Sequence, residues 1–155
     1  MPNSHKPGYK ALRAGRRSLT GNAYHITTCT HQRRYLFNDW LLARVAIGSM
    51  KALHDDQCVV SLCFVVMPDH IHWLFTLGEK QPLSHVVKRF KGRSAQSINR
   101  YLARQGVVWE EGYHDHLIRD EEDWQAVARY IVANPLRAGL VEDIGCYPHW
   151  DAIWL

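Results

Sequence analysis

The sequence predicts an α+β fold, an antiparallel sheet with helices mainly on one face in the split βαβ (ferredoxin-like) order. Three observations carry this. Short runs rich in β-branched and aromatic residues alternate with amphipathic stretches of helical period. Their order reads β-α-β-β-α-β-α, and the first six elements form the split βαβ pattern. The chain's 155 residues, 46% of them hydrophobic, suit one domain around one core.

Each element has its own signal. Residues 1–21 are polar and punctuated by Pro2, Pro7, Gly8 and Gly15, and read as an extended basic arm. The domain proper is expected over 22–140, with an aromatic tail over 141–155. Ala23 to Thr30 reads as the first strand. Trp40 to Leu53 has helical spacing, with Asn38 or Asp39 as its N-cap. Cys58 to Met67 reads as a buried strand, Pro68-Asp69 as a turn, and Ile71 to Leu77 as the returning strand of a hairpin. Pro82 to Leu102 is a second helix, entered through Ser84. A fourth strand is expected around Tyr113 to Ile118, and a third helix over Asp120 to Ala133, which Pro135 ends or bends. The tail carries Tyr147, Trp150 and Trp154.

Charge is unevenly spread. Residues 1–34 hold seven of the nineteen Lys and Arg and no acid; the remaining twelve bases face fifteen acids. A second acid-free basic block runs from Lys88 to Arg104. Two such blocks in a small protein point to a phosphate backbone as partner. No apolar run approaches the ~20 residues of a membrane span. The N-terminus lacks the apolar core of a secretory signal. The four cysteines form no CxxC pair, so reduced thiols in a cytosolic protein are expected.

The sharpest local feature is Met67-Pro68-Asp69-His70-Ile71-His72. Positions i and i+2 of a strand share a face, so His70 and His72 project together while Ile71 goes to the core. Two adjacent imidazoles begin a divalent-metal site. Taken alone, His-x-His is common, and a polar strand face explains it. Tyr130 and Asn134 lie four apart on a helix, hence on one side; taken alone they are a core aromatic and a C-cap. Together the two features make an apparatus. Asn134 can supply a third ligand through its amide oxygen, and the metal would polarise a scissile phosphate beside Tyr130. A free phenol ionises near pH ~10, and a cation nearby favours the ionised nucleophile.

These residues resemble a known family. Met67–Phe75 (MPDHIHWLF) with Tyr130–Val141 (YIVANPLRAGLV) is similar to the single-tyrosine HUH transposases, and specifically to the REP-associated tyrosine transposases. Arg16–Thr28 (RRSLTGNAYHITT) and Tyr113–Glu122 (YHDHLIRDEE) fit that branch, and the likeness runs from about Arg16 to Trp150. The resemblance implies a palm-like sheet with the histidine pair on a central strand. It implies magnesium or manganese as cofactor, and as substrate single-stranded DNA carrying an imperfect hairpin. It implies His70 and His72 as metal ligands and Tyr130 as the nucleophile that becomes linked to a 5′ phosphate. Asn134 stands where related transposases carry a glutamine, one methylene longer. The expected location is the bacterial cytoplasm at the nucleoid, as monomer or homodimer.

For hairpin contact the sequence offers Lys88, Arg89, Lys91 and Arg93 on the second helix, and Arg16 and Arg17 on the arm. Trp73, Trp109 or Tyr113 could stack on bases, although aromatics are by default buried. His114 and His116 alternate on a strand and read as a polar face; His25 and His31 lie near the first strand without an assigned role. Two rival readings stand beside a DNA strand transferase. One is a hairpin-binding module on the same fold that cuts nothing. The other is an RNA-binding split-βαβ protein, for which no RNP-like motif is present.

Overall fold

The computed structural model describes residues 21–119 and 121–154. The basic arm to residue 20, with Arg16 and Arg17, lies outside the described residues, as does Asp120.

The elements are β1 (Ala23–Cys29), α1 (Trp40–Asp55), β2 (Val59–Met67), β3 (His70–Leu77), α2 (Leu83–Tyr101), β4 (His114–Ile118), α3 (Glu121–Val132), α4 (Asn134–Arg137) and β5 (Trp150–Ala152), with short 3-10 turns between some of them. The sheet order is β4-β1-β3-β2-β5, and every neighbouring pair runs antiparallel. The first four strands therefore form the split βαβ arrangement, with β3 inserted between β1 and β2. Segment 141–155 adds what the sequence did not reveal. Trp150–Ala152 pairs with β2 as a fifth strand, and the Tyr147 hydroxyl donates to the Val66 carbonyl at 2.6 Å. The aromatic tail thus packs on the β2 edge of the sheet.

The alternation of β1 and β3 sorts residues to two faces. Tyr24, Ile26, Ile71, Trp73 and Phe75 go to the face covered by α1 and α2, where they meet Leu42, Ala46, Met50, Val86 and Phe90. Trp73 is fully buried, and its indole N–H donates to Ser61 Oγ at 2.9 Å, so burial leaves no polar atom orphaned there. Ala23, Cys63, Val65, Met67 and Leu74 go to the opposite face, where Ala128 and Ile131 of α3 cover them. A register shift in β2 between Ser61 and Cys63 reverses the alternation midway along the strand, so Val59 lies with the first set and Cys63, Val65 and Met67 with the second.

Asp39 caps α1, its carboxylate accepting from Leu41 N at 2.8 Å and Leu42 N at 3.4 Å. The second helix starts differently from the sequence expectation. Ser84 lies inside its first turn; Pro82 precedes the helix at φ −70°, and its carbonyl receives the amides of His85 and Val86. Among the described residues no helix is long and apolar enough to cross a membrane.

Candidate active site

The site forms on the sheet face that α3 covers only in part. His70 and His72 leave β3 on that face, with ring centroids 5.0 Å apart and planes nearly perpendicular. Each ring is held through Nδ1. His70 Nδ1 lies 2.7 Å from Asp69 Oδ1, and Arg33 Nε donates to the other carboxylate oxygen at 2.9 Å. His72 Nδ1 lies 2.9 Å from His25 Nε2 and 3.1 Å from Thr27 Oγ1, both on β1. In each histidine the nitrogen left for a ligand is Nε2.

The chain builds these partners locally. Met67 pairs with His70, so Pro68 and Asp69 form a two-residue turn. Thr30 ties that turn down by donating its amide (2.9 Å) and its hydroxyl (3.2 Å) to the Asp69 carbonyl, and Phe37 N donates to Pro68 O at 3.0 Å. After β1, Gln32 and Arg33 adopt φ of 58° and 53°, a left-handed conformation uncommon outside glycine. That tight reversal returns Arg33 to Asp69. Burial raises the Asp69 pKa, but the hydrogen bonds from His70 and Arg33 outweigh it and hold the carboxyl below its usual value.

The imidazoles of His25 and His72 favour the neutral form. Burial lowers the pKa of His72 to about 3, with the nearby His25, His70 and Arg137 adding to the effect. Burial and then His116 lower that of His25 to about 4. A neutral imidazole is the form that can ligate a cation.

Tyr130 comes from α3. Trp124, Val127, Ala128 and Ile131 make the apolar stripe of this helix. Tyr130 sits beside the stripe and is 59% exposed. It borders a groove of about 550 Å³ together with His25, His116, Arg119 and Val127. Arg137 reaches back over it: the guanidinium lies 3.8 Å from the ring centroid, and Nη2 donates to the Tyr130 carbonyl at 2.7 Å. Because His25 lines the same groove as Tyr130 and lies 2.9 Å from His72, the nucleophile candidate and the imidazoles share one side of the sheet.

The third helix ends where Pro135 is expected to end or bend it: it breaks at Ala133, and Asn134 opens the separate short helix α4. Pro135 has no amide to give the Ile131 carbonyl, and Asn134 Nδ2 fills that place at 2.9 Å. The amide is thereby oriented, with Oδ1 as its remaining acceptor.

The candidate donors are mixed: imidazole nitrogen suits transition metals and an amide oxygen suits harder cations. Two Nε2 atoms and one amide oxygen leave the remaining positions to water and phosphate oxygens. Among the described residues no three His, Cys, Asp or Glu side chains converge as a metal site.

The basic residues of α2 lie across the sheet from this site. Lys88, Arg89 and Arg93 are exposed. Arg89 contacts Asp56 Oδ2 at 3.4 Å and Gln81 Oε1 at 3.3 Å. Lys91 is engaged internally, its ammonium donating to the Glu110 and Gly112 carbonyls. Trp73, Trp109 and Tyr113 are core residues, whereas Tyr35, Trp40 and Tyr101 are exposed. His114 and His116 are exposed on the edge strand β4, and His116 pairs directly with His25. The sequence reading gave no role to Arg137, Asp69 or Arg33. Arg137 carried one faint signal, its place seven residues after Tyr130, two helical turns along the same side.

Known proteins share the family and the fold. Residues 18–134 match the family described as Transposase IS200 like. A Haemophilus influenzae protein with the provisional name REP-associated tyrosine transposase is 29% identical, the match spanning 66% of this chain and 66% of that protein's length. The REP-associated tyrosine transposase of Escherichia coli K12 is 25% identical over 84% of this chain and 76% of its own. A solved structure of a REP-associated tyrosine transposase bound to a REP hairpin superposes with a TM-score of 0.72 at 20% identity, covering 87% of this chain and 79% of that one. The chain belongs to the IS200-like transposase family, and its likeness within that family is to the REP-associated tyrosine transposases.

Proposed function

We propose that this protein is a metal-dependent endonuclease and strand transferase that cuts single-stranded DNA beside an imperfect hairpin. One observation carries the reading: Tyr130 borders one groove with His25, and the His25 ring lies 2.9 Å from His72 of the His70–His72 pair.

In this reading His70, His72 and Asn134 hold magnesium or manganese. When bound, the cation supplies Lewis-acid polarisation of the scissile phosphate and stabilises charge on its oxygens. Tyr130 Oη attacks phosphorus and the 3′ oxygen leaves. The phenol gives up its proton and the departing oxygen gains one, yielding a 5′ phosphotyrosine and a free 3′ hydroxyl. One phosphodiester replaces another, so the step reverses and can rejoin strands. Arg137 holds the aromatic ring and sets a cation beside the reacting phosphate. Lys88, Arg89 and Arg93 on α2 offer charge to the hairpin stem, with Arg16 and Arg17 of the arm as further contacts.

The test is a labelled single-stranded hairpin library incubated with the protein and magnesium or manganese, resolved on a denaturing gel. The expected result is a protein–DNA adduct that disappears in Tyr130→Phe and His70→Ala. Cleavage surviving in Tyr130→Phe would point to a water nucleophile instead. Tight binding with no cleavage of any hairpin would favour a binding module that has kept the fold alone.

A further inference from the structure

We propose that His25 is a positioning residue of this site: its Nε2 accepts the Nδ1 proton of His72 and so presents the Nε2 lone pair of His72 to the cation. The inference rests on the reading of His72 as a ligand.

The argument starts from the register. Thr27 pairs with His72 across β1 and β3, which places His25 diagonally from His72 on the same face. The contact that results is side chain to side chain, His25 Nε2 to His72 Nδ1 at 2.9 Å. A neutral imidazole carries one proton. Were His72 Nδ1 the acceptor, that proton would sit on Nε2 and leave no lone pair for a metal. Ligation through Nε2 therefore requires Nδ1–H on His72, an unprotonated Nε2 on His25, and the His25 proton on Nδ1. Thr27 Oγ1, 3.1 Å from the same Nδ1, can accept or donate and fixes no direction by itself.

The choice of partner has a chemical reason. His70 is held by a carboxylate, but Arg33 neutralises that carboxylate on its other oxygen. His72 is held by an imidazole acceptor, which brings no negative charge. Both rings are oriented without presenting a net anion to a polyanionic substrate. His25 also borders the groove that Tyr130 lines, where a carboxylate would repel a phosphate.

The test uses the full chain labelled with ¹⁵N and reads the ring nitrogens of His72 by long-range ¹H–¹⁵N correlation. Mn²⁺ is then titrated by calorimetry into wild type, His25→Leu and His25→Gln. The expected result is the Nδ1–H tautomer for His72 in the metal-free protein. Mn²⁺ affinity should fall about 10–100-fold in His25→Leu. Most of it should return in His25→Gln, whose amide oxygen accepts the same proton. An Nε2–H tautomer on His72 overturns the proposal without any variant. Unchanged Mn²⁺ affinity in His25→Leu overturns it while leaving the metal reading intact. Wild type that takes up no Mn²⁺ at His70 and His72 overturns the metal reading, and the role of His25 with it.

Discussion

Arg137 stacks its guanidinium 3.8 Å above the Tyr130 ring while donating to the Tyr130 carbonyl at 2.7 Å, so one side chain grips both the ring and the backbone of the same residue. A ring that is 59% exposed has little else to fix it. Arg137→Ala should therefore slow adduct formation about 10–100-fold, the scale of a misplaced reacting group. Arg137→Lys keeps the charge but loses the planar fork, and should fall between. Single-turnover kinetics on a cleavable hairpin check this, with hairpin affinity as the control that should change little.

Asp69 is the anchor of His70 and is itself held by Arg33. Asp69→Ala should weaken Mn²⁺ binding about 10–100-fold, as loss of a partner behind a histidine ligand typically does. Arg33→Ala should do much less. The Arg33 side chain is 53% exposed, so its ion pair is screened by solvent. Calorimetric titration of both variants decides. Equal losses would mean that Asp69 holds His70 in place only while Arg33 holds Asp69.

Much of this site was legible because it obeys local periods. His70 and His72 share a face since strand side chains alternate, and Tyr130 stands on a helix that the 3.6-residue period predicts. Their partners were not legible for the same reason. His25 reaches His72 across 47 residues, and Asp69 reads in sequence only as a turn former. Strand register sets those contacts, and no local period encodes it. Lys91 shows the converse: its position in a basic block suggests DNA, but the fold turns its ammonium onto two carbonyls. The fifth strand was missed because three residues carry no alternation to read.

Lys91 and its neighbours on α2 should consequently separate in experiment. Lys91→Ala removes a charged donor from the Glu110 and Gly112 carbonyls and should cost about 1–3 kcal/mol of stability. Lys88→Ala and Arg93→Ala, at exposed positions, should leave stability within about 0.5 kcal/mol. If the stem lies on α2, each should reduce the slope of log affinity against log salt by about 1. Chemical denaturation and hairpin binding at several salt concentrations provide both readouts. A Lys91→Ala protein of wild-type stability with a reduced salt slope would place Lys91 on the DNA.

His149 gives a pH prediction away from the site. Its ring is 6% exposed and packs against Trp40 and Tyr147, with centroids 5.0 and 5.8 Å away. Its Nδ1 has no hydrogen-bond partner among the described residues. Burial, and then the nearby Arg44 charge, lower its pKa in the folded state. The unfolded chain takes the proton near pH ~6.5, while the folded chain resists it. Between those two values the unfolded state binds more protons, so stability rises with pH in that window. The contribution of His149 is complete above the unfolded value and is lost as pH falls below it toward the folded one. His149→Phe keeps the aromatic packing and removes the proton site. Its denaturation midpoint should fall less than that of wild type between pH 7 and pH 5, and the two curves should run parallel above pH 7. Curves that stay parallel down to pH 5 would show that the folded protein accommodates the protonated ring.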